Sequence, residues 1–394
     1  MKLARRLRAG LSALVLLSVG HPRLPSALGA GGLPPRASQT GRVAVAAPRG
    51  LSTLWMTTDR YGWAQSAHAL WRTADGAESW QQVLALRGGS AANVVAVLGA
   101  NWAAVVSAVP PKYTDLHIER TIDGGRNWKT YQVPLGHTRP GGPVEPEDLD
   151  ALSNTKLYVL VRTEEGMNSP NGELLTTDNG GRSWAVVGGA GAVTGRATGR
   201  LPSAIGSVAM AASGEGWLMA RATTTAAPRL YRTTDGGRSW SLGTLPTVRG
   251  KPLLPLAPPE LFPISRQWLL VANVEVNGVT PHTCDILVAP ESRATWQRTA
   301  ACQLWLSASG RVVSPFFLSA RVGWEVSGGR VLLTQDGGVR WLPLSRPGGR
   351  SLLSSHVLAL DFVSKRRGWV VLVRRSGEPV VFETGDGGLS WQEL

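Results

Sequence analysis

The sequence predicts an all-β fold, a seven-bladed β-propeller built from units of about fifty residues. Three observations predict it. A short turn motif ending in Trp recurs along the chain, a second Trp follows a turn ahead of nearly every copy, and the residues between them alternate apolar and polar in short runs. Outside the N-terminal segment no ten-residue stretch carries a 3.6-residue period. A Greek-key sandwich would lack the fixed repeat.

The copies of the turn motif are RTADGAESW, RTIDGGRNW, TTDNGGRSW, RTTDGGRSW, LTQDGGVRW and ETGDGGLSW. Their pattern is Thr, any residue, Asp, Gly, Gly, two more residues, then Trp. The Asp position holds Asp75, Asp123, Asn179, Asp235, Asp336 and Asp386. Between Asp235 and Asp336 the interval is twice the usual one, and a degenerate copy, APESRATW, sits midway with Glu291 in the Asp position. The seven motif tryptophans are Trp80, Trp128, Trp184, Trp240, Trp296, Trp341 and Trp391. Seven units then fill residues 51–394, the propeller domain.

The second landmark is Trp63, Trp102, Trp217, Trp268, Trp324 and Trp369, with Leu157 taken as its counterpart in the third unit. Sixteen Trp beside only five Tyr and five Phe is thereby explained by repetition, and needs no aromatic binding groove. Forty-seven Gly and twenty-six Pro fit a chain of many turns.

Physically, the motif belongs on the hairpin joining the third and fourth strands of each blade. Its Asp accepts hydrogen bonds from turn amides, its glycines permit positive φ where the chain reverses, and its Trp is expected to return into the blade and bury a large apolar surface. This assigns the motif to folding, with no catalytic residue among its positions.

Residues 1–30 read as a signal peptide. A basic start, MKLARRLR, precedes an apolar run, AGLSALVLLSVG, too short to span a bilayer comfortably, and small residues follow, with Ala27 and Gly29 at the −3 and −1 positions of one cleavage site and Ser18 and Gly20 at those of another. Residues 31–50 read as a linker. The expectation is an exported protein, periplasmic or extracellular, with retention of the uncleaved signal as a membrane tether the other option. The net charge is +14 for 394 residues; without residues 1–30, 36 basic face 27 acidic side chains, and the basic excess is Arg-rich. Such a balance fits either a soluble basic surface or an anionic partner. Export makes nucleic acid an unsuitable partner.

With its turn motif and preceding Gly-Trp pairs, the chain resembles the Asp-box, or BNR, repeat proteins, and among them the photosystem II stability/assembly factor family of seven-bladed propellers. The resemblance covers roughly residues 51–394. It implies an exported, non-catalytic scaffold that helps to assemble a membrane protein complex; the expectation for this chain is a monomer without cofactor or metal. Sialidases and several glycanases share the motif, so it speaks for the fold more than for the function.

In the fifth unit Cys284 and Cys302 flank the degenerate motif symmetrically. On an antiparallel hairpin they would face each other within disulfide range, and export permits oxidation. The reading is a disulfide that staples the hairpin whose turn chemistry has decayed. Free thiols, and a metal site with His282 and Asp285, are the alternatives.

Enzymatic signatures are sparse. A sialidase-like glycosidase would need an Arg triad, a Tyr nucleophile with a Glu partner and an N-terminal Arg-Ile-Pro signature, which is absent. Glu164 and Glu165 would point oppositely on a strand and read as a solvated loop. The acidic run VEPEDLD (Glu145, Glu147, Asp148, Asp150) reads as another solvated loop, with a calcium site as the alternative. The insert KPLLPLAPPELFP reads as a rigid bridging loop, with a docking strap as the alternative. The partner surface is expected on long inter-blade loops, where Arg196, Arg200, Arg249, Lys251, Arg346 and Arg350 form a basic rim for a membrane or envelope protein. Binding of an anionic cell-surface polymer or glycan is the second function class.

Overall fold

The computed structural model describes residues 44–394 except 46, 87–92, 111–112, 136–142, 165–169, 190–200, 202–204, 222–226, 249, 257–258, 263–264, 275–282, 292–294, 304, 307–311, 314, 328–329, 345–355 and 375. These residues form seven blades of antiparallel strands arranged as a β-propeller. Blade 1 runs through Leu51–Met56, Gly62–Ser66, Ala69–Thr73 and Trp80–Ala85. Blade 2 runs through Asn93–Val97, Ala103–Ala108, Leu116–Thr121 and Lys129–Val133. Blade 3 comprises Val144–Ala151, Leu157–Glu164, Pro170–Thr177 and Ala185–Gly189. Blade 4 comprises Ile205–Met210, Gly216–Ala220, Arg229–Thr233 and Ser241–Leu242. Blades 6 and 7 repeat the plan from Phe316 to Leu344 and from His356 to Glu393. No described helix is long and apolar enough to cross a membrane.

Blade 5 departs from the pattern. Its first strand is built in two pieces, Lys251–Pro255 and Glu260–Phe262, both paired with Gln267–Val274. Thr283–Pro290 and Gln297–Gln303 complete it. The proline-rich insert is therefore the innermost strand of the blade, where one edge has no ladder to complete and the missing N–H groups of Pro are tolerated; Leu253, Leu261 and Phe262 are buried. The acidic run of blade 3 is likewise an innermost strand. Glu164 ends the second strand of that blade.

Seven apolar clusters hold the ring, and each lies between two blades. Trp63, Leu70 and Val83 of blade 1 meet Val95 and Val105 of blade 2. Trp217 and Leu230 meet Leu261, Leu287 and Trp296 across blades 4 and 5. Trp369, Val371 and Val381 of blade 7 meet Leu54, Met56 and Trp80 of blade 1. Trp63, Trp102, Trp217, Trp324 and Trp369 therefore face the next blade and the motif Trp faces the previous one, whereas Trp268 of blade 5 packs towards blade 4. Trp217 and Trp296 show the meeting directly, with ring centroids 5.1 Å apart. This corrects the expectation that the motif Trp folds back into its own blade. Trp128, Trp184, Trp240, Trp341 and Trp391 remain partly exposed, whereas Trp63, Trp217, Trp268, Trp324 and Trp369 are fully buried.

Register also corrects three landmarks. In blade 1 Trp63 pairs with Arg72, next to the motif Thr73. In blade 3 the equivalent partner of Thr176 is Tyr158, so Tyr158 and not Leu157 fills the slot. In blade 2 Ala104 fills it opposite Arg120, and Trp102 stands two residues earlier on the same face. In blade 5 Trp268 pairs with Ala289, at the motif Thr position, and so stands one place off the slot. The residue ahead of the slot is sized to its cross-strand partner. Gly62 faces Met56, Gly216 faces Met210 and Gly368 faces Phe362, whereas Ala103 faces Val97 and Leu157 faces Ala151. A β-carbon on Gly62 would stand 2.2 Å from Met56 Sδ. The glycine of each Gly-Trp pair is thus a matter of volume.

Blades 1 and 7 are each one continuous stretch of chain, so no strand is exchanged at the seam. Packing closes it, and hydrogen bonds cross it: Met56 N–H donates to Asp361 Oδ2 at 2.6 Å, and Trp369 Nε1–H donates to the Gly76 carbonyl at 2.8 Å. Ala44–Val45, inside the expected linker, adds a fifth strand on the outer edge of blade 1 through Ala44–Gln81 and Val45–Trp80.

Candidate functional site

The turn motifs gather on one face of the ring. In each intact copy the Thr hydroxyl donates to the Asp (Thr73 to Asp75 at 2.7 Å, Thr233 to Asp235 at 2.7 Å) and accepts the N–H of the residue four ahead (Gly237 at 3.0 Å). The Asp carboxylate accepts the N–H four residues on, as from Ser239 at 2.9 Å. In blade 3 Asn179 does the same with its amide oxygen, from Ser183 at 3.0 Å. The N–H of the first Gly donates to the turn between the first two strands of its blade: Gly76 to Arg60, Gly236 to Gly214, Gly387 to Arg366. That bond holds two turns together at the same end of every blade and builds the face.

Electrostatics fit the capping. Burial works against the charged form of Asp75, Asp123 and Asp235, but the turn hydroxyls, amides and N–H groups outweigh it and hold these carboxyls below the usual range. For Asp336 the Arg340 N–H is the largest cause of the same shift. In the fifth copy Glu291 departs from the pattern. Its own N–H donates to the Arg266 carbonyl, the bond made elsewhere by the first Gly. Its carboxylate takes Ser213 Oγ of blade 4 at 2.9 Å and Arg266 Nε at 3.2 Å.

Three residues past the Asp, this face carries Arg126, Arg182 and Arg238 on blades 2, 3 and 4, all exposed. Lys156 and Arg60 stand on the neighbouring turns. Arg182 reaches blade 2, where its hydrogen bond pulls the Tyr131 phenol below its ordinary range. At the same motif position blade 1 has Glu78, and blades 6 and 7 have Val339 and Leu389. The face is therefore basic over three consecutive blades and apolar over two others.

Inside the basic sector a cleft of about 650 Å³ opens between blades 3 and 4, lined by Lys156, Tyr158, Asp178, Ser213, Asp235 and Arg238 among others. Its position follows from the Tyr at the landmark slot. At two other seams the landmark indole reaches the next blade's motif, Trp369 to Gly76 and Trp324 to Gly387 at 2.9 Å. Tyr158 is smaller and leaves room beside Gly236. Lys156 lies over the Tyr158 ring at 5.0 Å and pairs with Asp178 at 2.8 Å.

The carboxylates of blade 3 turn inward to hold its neighbour. Glu147, at a bulge in the innermost strand, meets Arg162 at 2.9 Å and Arg221 of blade 4 at 2.5 Å, and Arg162 also pairs with Glu145. Asp148 accepts Val208 N–H at 2.9 Å and Asp150 accepts Met210 N–H at 2.6 Å, both from blade 4. Burial pushes the Glu147 carboxyl up, against the pull of the two guanidinium groups. This replaces the solvated loop and the calcium site expected for the run: the carboxylates are spent on a blade–blade seam. Elsewhere Glu215 meets Arg232 at 3.2 Å, and Asp285 meets Arg298 at 2.7 Å.

Of the expected basic rim, Arg196, Arg200, Arg249, Arg346 and Arg350 lie outside the described residues. Lys251 is exposed at the start of blade 5's first strand, at the end of the blade away from the motif turns. Cys284 and Cys302 are direct partners across the third and fourth strands of blade 5.

Fold and faces together define a seven-bladed β-propeller. No family model matches the chain, and no curated protein matches it. Among solved structures, YCF48 from Cyanidioschyzon merolae superposes with a TM-score of 0.51 at 17% identity, over 88% of this chain and 98% of that one. Puromycin hydrolase superposes at 0.55 and 11% identity, over 90% of this chain and 54% of that one. An oligogalacturonate lyase in complex with manganese superposes at 0.53 and 9% identity, over 88% and 94%. Their likeness to this chain is one of fold, and the fold is shared by proteins whose names denote different chemistries.

Proposed function

We propose that this propeller is an exported, non-enzymatic binding scaffold that assists a membrane or cell-envelope protein complex, as its resemblance to the photosystem II stability/assembly factor family implies. The observation that carries the reading is the arc of Arg126, Arg182 and Arg238 on three consecutive blades. Guanidinium groups fixed at equivalent turns present spaced forks for carboxylates of a folded partner. The structural uses of five inward carboxylates support the same reading. Glu147, Glu215 and Asp285 are held by arginines, and Asp150 and Asp361 by backbone N–H groups. Glycoside hydrolysis requires two carboxyl groups facing a substrate.

Crosslinking capture in the native host tests the proposal, with the bound material identified by mass spectrometry. A defined membrane or envelope protein is expected, depleted several-fold when Arg126, Arg182 and Arg238 are replaced together by Ala. Capture of wall polymer in its place would favour the anionic-polymer reading and overturn this one.

A further inference from the structure

Blades 6 and 7 carry a second kind of surface on the motif face. Val339, Leu342 and Leu389 are 57%, 60% and 43% exposed, among the few large apolar side chains that the protein leaves in water. They stand on two adjacent blades. Leu342 and Leu344 lie on one face of the outer strand of blade 6, and Gly388, next to Leu389, packs on that strand so closely that a β-carbon would stand 3.1 Å from Leu344 Cδ1. Cations frame this corner. Arg340 is exposed beside Val339, and Arg321, Lys365 and Arg366 are exposed on the turns whose carbonyls receive Gly337 and Gly387. Among the described residues, no carboxylate ion-pairs with Arg321, Lys365 or Arg366. The nearby carboxylates are occupied: Asp336 and Asp386 accept their own turn N–H groups at 2.9 and 2.8 Å, and Glu383 is bound by Arg367 at 2.7 Å.

Exposed aliphatic side chains on turns, beside exposed cations of which Arg321, Lys365 and Arg366 carry no ion pair among the described residues, are the chemistry of contact with an anionic lipid surface. The apolar tips enter the headgroup boundary while the cations meet lipid phosphates. We propose that this corner seats the propeller on an anionic bilayer and leaves the basic sector of blades 2–4 free. The inference goes beyond the scaffold reading and fails separately from it, since the residues lie on different blades.

The test places an environment-sensitive fluorophore at Leu389→Cys in the full chain, with Cys284 and Cys302 replaced by Ser, and adds vesicles of equimolar phosphatidylcholine and phosphatidylglycerol. A blue shift with a several-fold rise in emission is expected, together with no change for the same probe at Lys251→Cys. Silence of the Leu389→Cys probe while the protein sediments with the vesicles would assign binding to another segment and overturn the proposal. An equal response to phosphatidylcholine alone would overturn it too. A Val339→Ser/Leu342→Ser variant with native cysteines, folded by circular dichroism, is expected to lower vesicle co-sedimentation several-fold; unchanged co-sedimentation contradicts the assignment.

Discussion

The carboxylate of Asp361 accepts the backbone N–H of Met56 at 2.6 Å across 305 residues of sequence, joining the innermost strands of the last and first blades. Asp150 and Met210 repeat the bond between blades 3 and 4, again at 2.6 Å. Because blades 1 and 7 share no strand, the seam depends on this latch, on the Trp369–Gly76 bond and on packing. Asp361→Ala leaves the buried Met56 N–H without this acceptor and is expected to lower stability by about 1–3 kcal/mol. Asp361→Asn keeps an acceptor oxygen and is expected to cost less. Chemical denaturation of the two variants checks the order.

The volume match at the Gly-Trp pairs makes a coupled prediction. Gly62→Ala drives a methyl into Met56 Sδ and is expected to cost about 1–3 kcal/mol. Adding Met56→Val, which copies the Ala103–Val97 pair of blade 2, should recover part of that loss. A double-mutant cycle measures the coupling; strictly additive effects would contradict the account.

Acid should loosen the turn face. Asp75, Asp123, Asp235 and Asp336 have folded pKa values held below the ordinary carboxylate range. The folded state therefore binds protons less readily than the unfolded chain. Their stabilisation is complete above the unfolded value of about 3.9 and is lost as pH falls through the lower folded values. Melting temperature is expected to drop below about pH 4. Asn179 already fills this role without ionising, so Asp→Asn at all four positions should flatten the acid limb while preserving the turns.

Cys284 and Cys302 stand opposite each other in blade 5, and we propose a disulfide between them. In the chain-entropy model a loop of this size contributes roughly 3 kcal/mol. Non-reducing peptide mapping of the protein taken from its native host is expected to find the crosslinked pair; two thiols open to alkylation would remove the idea.

Much of the ring was legible because its cause is local. Thr, Asp and Gly at fixed spacing close a turn by their own hydrogen bonds, so the motif can be read from one strand of text. Seam chemistry is not local. The run from Glu145 to Asp150 looks like a solvated acidic loop until Arg221, Val208 and Met210 are brought to it by the next blade. The proline-rich insert before blade 5 likewise hides an innermost strand, because one missing ladder edge makes Pro acceptable there. The basic arc was present in the sequence as the residue three past each Asp. Spacing alone does not place the three turns on one face; the bond from each first Gly to the neighbouring turn does.

The central claim is that a partner meets the motif face at its basic sector. The direct measurement replaces Arg182 with a photo-crosslinking amino acid, and Lys251 at the opposite end of the blades in a second variant, and irradiates both in the native host. The account predicts a discrete protein adduct from position 182 and none from 251. An adduct from position 251 alone would contradict it and move the binding surface to the opposite rim.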